Sequence, residues 1–168
     1  MKDDIAYMPH YLLYTLLGLI VFTGTTSAQS ISDIQEVYAS NITQTYINDV
    51  YIPQDVNEAM QTIDRLSNSA GREKMLEIDE TTAANRLLPA IGRWMIVNWN
   101  LVEGSRLGHR LRDYGVFAPE DQAKFLIASY HRYLRGVPLE LERRGKLIHD
   151  MRYEEQQNRI RERLRSPD

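Results

Sequence analysis

Residues 83–100 read AANRLLPAIGRWMIVNWN, and the fold class turns on them. Leu87, Leu88, Ile91, Trp94, Met95, Val97 and Trp99 cover most of a helix circumference. A helix that is apolar on most sides is usually buried by its neighbours, so this stretch predicts a central helix. Pro89 complicates its start. Proline has no amide proton and clashes with the preceding turn, so the helix either begins near Pro89 or kinks there.

Moving toward the C-terminus, Gly104-Ser105 reads as a stop followed by an N-cap. Leu107, Leu111 and Tyr114 then form a stripe that Gly115 closes as a left-handed cap. Ala118-Pro119-Glu120-Asp121 is a start signal, with proline at the first position and acids in the first turn. Ala123, Leu126, Ile127, Tyr130 and Leu134 make that helix's buried face, and Gly136 ends it. A long charged helix is predicted over about 140–165, with Leu141, Ile148 and Met151 on its drier side. Its tail, RIRERLRSPD, reads as solvated.

Moving toward the N-terminus, residues 72–80 are charged and read as a short helix or irregular segment. Val56, Met60 and Ile63, with Ala59 and Leu66 beside them, predict a helix over 53–66. Pro53 suits its first turn, and Asp55 and Glu58 lie near the positive end of its dipole. Residues 29–50 are polar, with Ile31, Ile34, Val37 and Tyr38 at the spacing of a short helix. No segment alternates with period two, and the later connections are short. Short links make consecutive helices neighbours. The expected fold is therefore all-α, a small irregular bundle of about five helices.

Residues 11–22, YLLYTLLGLIVF, carry no charge. The run is too short for a comfortable bilayer span, which needs about 20 apolar residues. Thr26-Ser27-Ala28 places small residues as a signal peptidase requires, with cleavage after Ala28. The opening Met-Lys-Asp-Asp lacks the usual positive charge. A cleaved signal is the leading reading, with a retained anchor or a buried helix as the others. The expected divisions are 1–28 signal or anchor, 29–51 polar leader, 52–142 helical domain and 143–168 charged helix or tail. The expected location is outside the cytoplasm, periplasmic or secreted, unless residues 11–22 anchor the chain in the membrane.

The 168 residues are 43% hydrophobic and 26% charged, with a net charge of −3 and no cysteine. That is ordinary globular usage for one domain plus appendages. Mixed charge without a basic face argues against nucleic-acid binding. The cysteine count excludes disulfides, Cys-based zinc sites and thiol catalysis.

Four stretches share a pattern. They are IPQDVNEAMQTID from residue 52, GRWMIVNWNLVEGSRL over 92–107, YGVFAPEDQAKFLIASYHRYLRG over 114–136, and VPLELE after it. Together they resemble a small bacterial domain of unknown function, numbered 6794. The matching features are Trp94, Asn98 and Trp99, then Gly104 to Leu107, Pro119 to Asp121, and Tyr130 to Arg132. The chain departs from the family at Val102-Glu103, where the pattern has an aromatic and a glycine. No role is therefore carried over to that loop. The resemblance covers about 52–142 and implies a small helical fold with no assigned activity.

Five residues are candidates for ligand binding: Arg93, Asn98, Trp99, Arg106 and His131. Asn98 lies four residues after Trp94 and shares its helix face. The plain reading is that Asn98 ties off the helix end while both tryptophans fill the core; the functional one is a ligand groove of indole and amide. Arg106 falls in a first helical turn, where a cation opposes the dipole. It therefore needs a partner: either a salt bridge, for example to Glu103 or Asp121, or an anion pocket shared with His131. His131 could serve as a general base, but a lone histidine on a helix flank is more often structural; His109 and His149 lack ligand partners at helical spacing, so no metal site is expected. No catalytic motif, phosphate loop or cofactor signature is present. The leading expectation is an exported, non-enzymatic module that binds a protein or envelope component. The alternative is a small hydrolase or anion-binding domain using the Arg106 and His131 region.

Overall fold

The computed structural model describes residues 26–165. The apolar run 11–22 and the signal reading fall outside them, save that Thr26-Ser27-Ala28 open the first described helix, α1 (Thr26–Asn41). Its residues through Val37 form a helix in their own right, with Ile31, Ile34 and Val37 exposed. The body of the fold begins at Tyr38.

The body is mostly helical, but not wholly so. Strands β1 (Tyr46–Ile47) and β2 (Val50–Tyr51) pair antiparallel, with Tyr46 opposite Tyr51 and Ile47 opposite Val50. Asn48 and Asp49 form the two-residue turn at φ 49° and 62°. Asparagine and aspartate tolerate that left-handed region better than other side chains, and two such residues make the turn that suits a twisted hairpin. This corrects the all-α expectation. Strands two residues long leave no alternation to read.

Helix α2 (Val56–Leu66) starts three residues later than expected. Pro53 is outside it, and Asp55 is its N-cap, accepting from the Glu58 amide. Val56, Ala59, Met60 and Ile63 bury its inner face. Full burial of a side chain of the Val, Met or Ile kind is worth about 1.5–3 kcal/mol. Helix α3 (Ser69–Leu76) is capped by Asn68, and α4 (Glu80–Leu87) by Asp79.

The stretch 83–100 is not one helix. A π-helical turn at Leu88–Gly92 separates α4 from α5 (Arg93–Asn98). The Arg93 amide reaches the Leu88 carbonyl, one residue further back than an α-helix requires. Pro89 is the cause, because it cannot donate into the α-helical ladder. Helix α6 (Arg106–Asp113) is capped by Ser105, which accepts from the Gly108 amide. Helices α7 (Pro119–Leu134) and α8 (Leu141–Arg165) complete the chain.

The central element is α7, not the tryptophan-bearing stretch. It packs against α2 through α6 and the π turn, and it buries Gln122, Phe125, Leu126, Ile127, Ser129 and His131 among others. Gln122 donates to the carbonyls of Gly108 and Val116, while its Oε1 is buried with no donor among the described residues. Trp99 is wholly buried, whereas Trp94 is 38% exposed and meets it edge-on, ring centres 5.6 Å apart. The expectation that both tryptophans fill the core holds for Trp99 alone.

Helix α8 is clamped to α7 by Asp121. Its buried carboxylate accepts two hydrogen bonds from Arg152, at 2.8 and 2.6 Å. Closer to its start, Gly145 lies under the Tyr114 carbonyl. Met151, expected on the dry side, is 48% exposed. No described helix is long and apolar enough to cross a membrane.

Candidate functional site

Arg106 is held by the segment before α2. Its Nε donates to the Ile52 carbonyl at 2.7 Å, its Nη1 reaches Thr45 Oγ1 at 3.4 Å, and its Nη2 stands 3.9 Å from Glu58. Its guanidinium also lies over the Tyr51 ring, 5.2 Å from the centre. The favourable partners offset the unfavourable first-turn position. Neither Glu103 nor Asp121 takes part, since Asp121 belongs to Arg152.

Glu58 is the hub of this cluster. The Tyr51 hydroxyl donates to one oxygen and the Gln54 amide to the other. These hydrogen bonds hold the Glu58 carboxyl below the ordinary glutamate value, and Arg106 adds to the effect. Donation to Glu58, with some burial, pushes the Tyr51 hydroxyl up. A carboxylate depressed in the folded state stabilises the fold above its unfolded value, about 4.3, and loses that contribution as pH falls through the folded value. The advantage of the parent protein over Glu58→Gln is therefore expected to be full at neutral pH and to shrink steadily below about pH 4.3. Urea unfolding across the acid range measures it. Curves that stay parallel throughout would show that the carboxylate contributes nothing.

His131 is buried elsewhere. Its Nε2 lies 2.9 Å from the Ile78 carbonyl and 3.4 Å from Arg135 Nε, and Nδ1 has no partner among the described residues. Beside it, Arg135 donates to the Leu76 carbonyl, and Arg132 bridges Glu80 and Glu140. Glu80 also receives Arg144, whose guanidinium lies over the Phe125 ring and is pushed down by burial. This network stitches the end of α7 to α4 and α8. Arg106 and His131 thus bond to different segments, and no described hydrogen bond or ion pair links them.

Asn98 donates to the Trp94 carbonyl within its own helix. Trp99 offers a ligand nothing, since its ring is in the core. Arg93 is exposed and makes no ion pair among the described residues. It borders a cleft of about 610 Å³ with Leu88, Pro89, Ile96, Val97 and Val102.

Another hollow adjoins the π turn. Ile63, Leu66, Ala90, Ile91 and Trp94 line a cavity of about 370 Å³. It shares Ile63, Leu66 and Ile91 with a second of about 290 Å³ that extends to Met75, Arg72 and Tyr130. Leu66 is 65% exposed, and Arg72 is fixed at the edge by the carbonyls of Asp64 and Ser67. None of these residues is among the five sequence candidates, although Trp94 shares a helix face with Asn98, which is one of them. They come from four separate segments, and no local spacing joins them. Among the described residues no acidic or histidine cluster could hold a metal ion.

Residues 52–134 match the model of a domain of unknown function, DUF6794. No curated protein and no solved structure matches the chain.

Proposed function

Starting from residues 52–134 as a copy of that uncharacterised domain, we propose that the protein is an exported, non-enzymatic binding module of the bacterial envelope or periplasm. Its partner is a protein that lays large apolar side chains into the groove along the π turn. The single observation that carries this reading is the groove itself. Leu66 and Trp94 stand open beside Ile63, Ile91 and Met75, on a rim fixed by Arg72 and Tyr130. Tryptophan, tyrosine and arginine dominate the energetics of protein interfaces, and methionine adapts to varied partners. An exposed apolar groove with a polar rim is a common mark of such a site.

The polar candidates support the same reading. Arg106 and Asn98 donate to carbonyls of the chain itself, and His131 turns Nε2 to another while its unpartnered Nδ1 is buried away from solvent. An active site would leave such groups directed at a substrate. Export is proposed from the apolar run 11–22 and the small residues at 26–28.

A photo-crosslinking amino acid at Leu66, in cells making the full chain, tests the binding reading. One discrete protein adduct is expected, at least several-fold stronger than from the same probe at Arg110. Trp94→Ala should remove it while leaving the helical circular dichroism unchanged. Equal labelling from both positions would overturn the proposal.

A further inference from the structure

We infer that the free end of α8 pairs antiparallel with the same helix of a second copy of the chain. Helix α8 runs for 25 residues, roughly 37 Å, and only Gly145 on it is fully buried. The clamp to the body is Arg152 on Asp121. Beyond that clamp, Tyr153, Ile160 and Leu164 are 58%, 44% and 78% exposed.

These positions are not scattered. Tyr153, Gln157, Ile160 and Leu164 step by four, three and four residues, the alternating spacing of a coiled-coil seam. Leu147 and Met151 lie well round the helix from that line. The arginines argue against a membrane as the occupant. Arg159, Arg161, Arg163 and Arg165 are two residues apart, and residues two apart point to opposite sides of a helix. Arg159 and Arg163 share one side and Arg161 and Arg165 the other, so the four charges are split between two faces.

Charge selects the direction. Glu154 and Arg161 occupy equivalent flanks of the seam in successive heptads, and neither has an ion-pair partner among the described residues. In a parallel pair Arg161 would face Gln156, and no opposite charges would meet. In an antiparallel pair Glu154 faces Arg161 of the second copy, and the twofold axis repeats the contact. The same register lays Tyr153 over Leu164 and Ile160 over Gln157. The seam is about two heptads long, so the association belongs to the weak, concentration-dependent class.

The chain has no cysteine, so introduced thiols report alone. Full-length Tyr153→Cys and Leu164→Cys proteins, mixed and mildly oxidised, should give several-fold more cross-linked dimer than either alone. Sedimentation of the parent should pass from monomer to dimer as concentration rises. Ile160→Glu should raise the midpoint at least tenfold, and Leu147→Glu, on the other face, should leave it unchanged. Leu164→Cys cross-linking to itself as well as to Tyr153→Cys would mean a parallel pair and overturn the proposal. So would a parent that stays monomeric at millimolar concentration. So would a monomer that the same seam carries onto phosphatidylglycerol vesicles.

Discussion

Gly145→Ala is expected to destabilise the protein by about 3 kcal/mol. A methyl group built on Gly145 falls 2.0 Å from the Tyr114 carbonyl oxygen and 2.8 Å from the Tyr114 Cβ. Neither atom is the tip of a flexible side chain. Tyr114 ends α6, its ring is stacked on Phe125, and its carbonyl cannot retreat without disturbing that core contact. The helix must therefore lift away from the body. Helix propensity alone predicts the opposite sign, since alanine is about 1 kcal/mol better than glycine inside a helix. Urea unfolding decides between the two. A Gly145→Ala protein as stable as the parent would mean that α8 does not rest on Tyr114.

Trp99→Ala is expected to cost about 3–5 kcal/mol, because it empties the largest wholly buried side chain of the core. Trp99→Phe should cost distinctly less. The indole Nε1–H is buried with no acceptor among the described residues. Leaving such a donor unmet costs about 1–3 kcal/mol, and phenylalanine removes it. The lost ring volume and the relieved donor then act in opposite directions. Thermal or urea unfolding of both variants measures the difference. Equal losses would show that the indole N–H is satisfied or that volume alone matters.

The local grammar of this fold was legible in the sequence. Ser105, Pro119, Gly115 and Gly136 mark the ends they were expected to mark, because capping depends on residues within one turn. Features set by distant segments were not legible. Arg106 was recognisable as a cation in need of a partner, yet its partner carbonyl belongs to Ile52, 54 residues away. Asn48 and Asp49 make a hairpin turn, but their strands are too short to announce themselves. The apolar stretch 83–100 was read as central because it is apolar all round. Part of that apolar surface instead faces the grooves, and α7 takes the middle. The candidate site was hidden for the same reason. Its walls come from α2, α3, α7 and the run from the π turn into α5, and their meeting is a property of the packing.

The single widened turn at Leu88–Gly92 also acts as a phase setter. Each residue of a helix advances the chain by about 100°. Closing one residue further back, this turn takes up one extra residue over about the rotation of an α turn. Met95 and Trp99 therefore stay in the core although the stretch is one residue longer than a continuous α-helix would need. A further residue inserted here, with no second widened turn to absorb it, would swing both off the core by that angle.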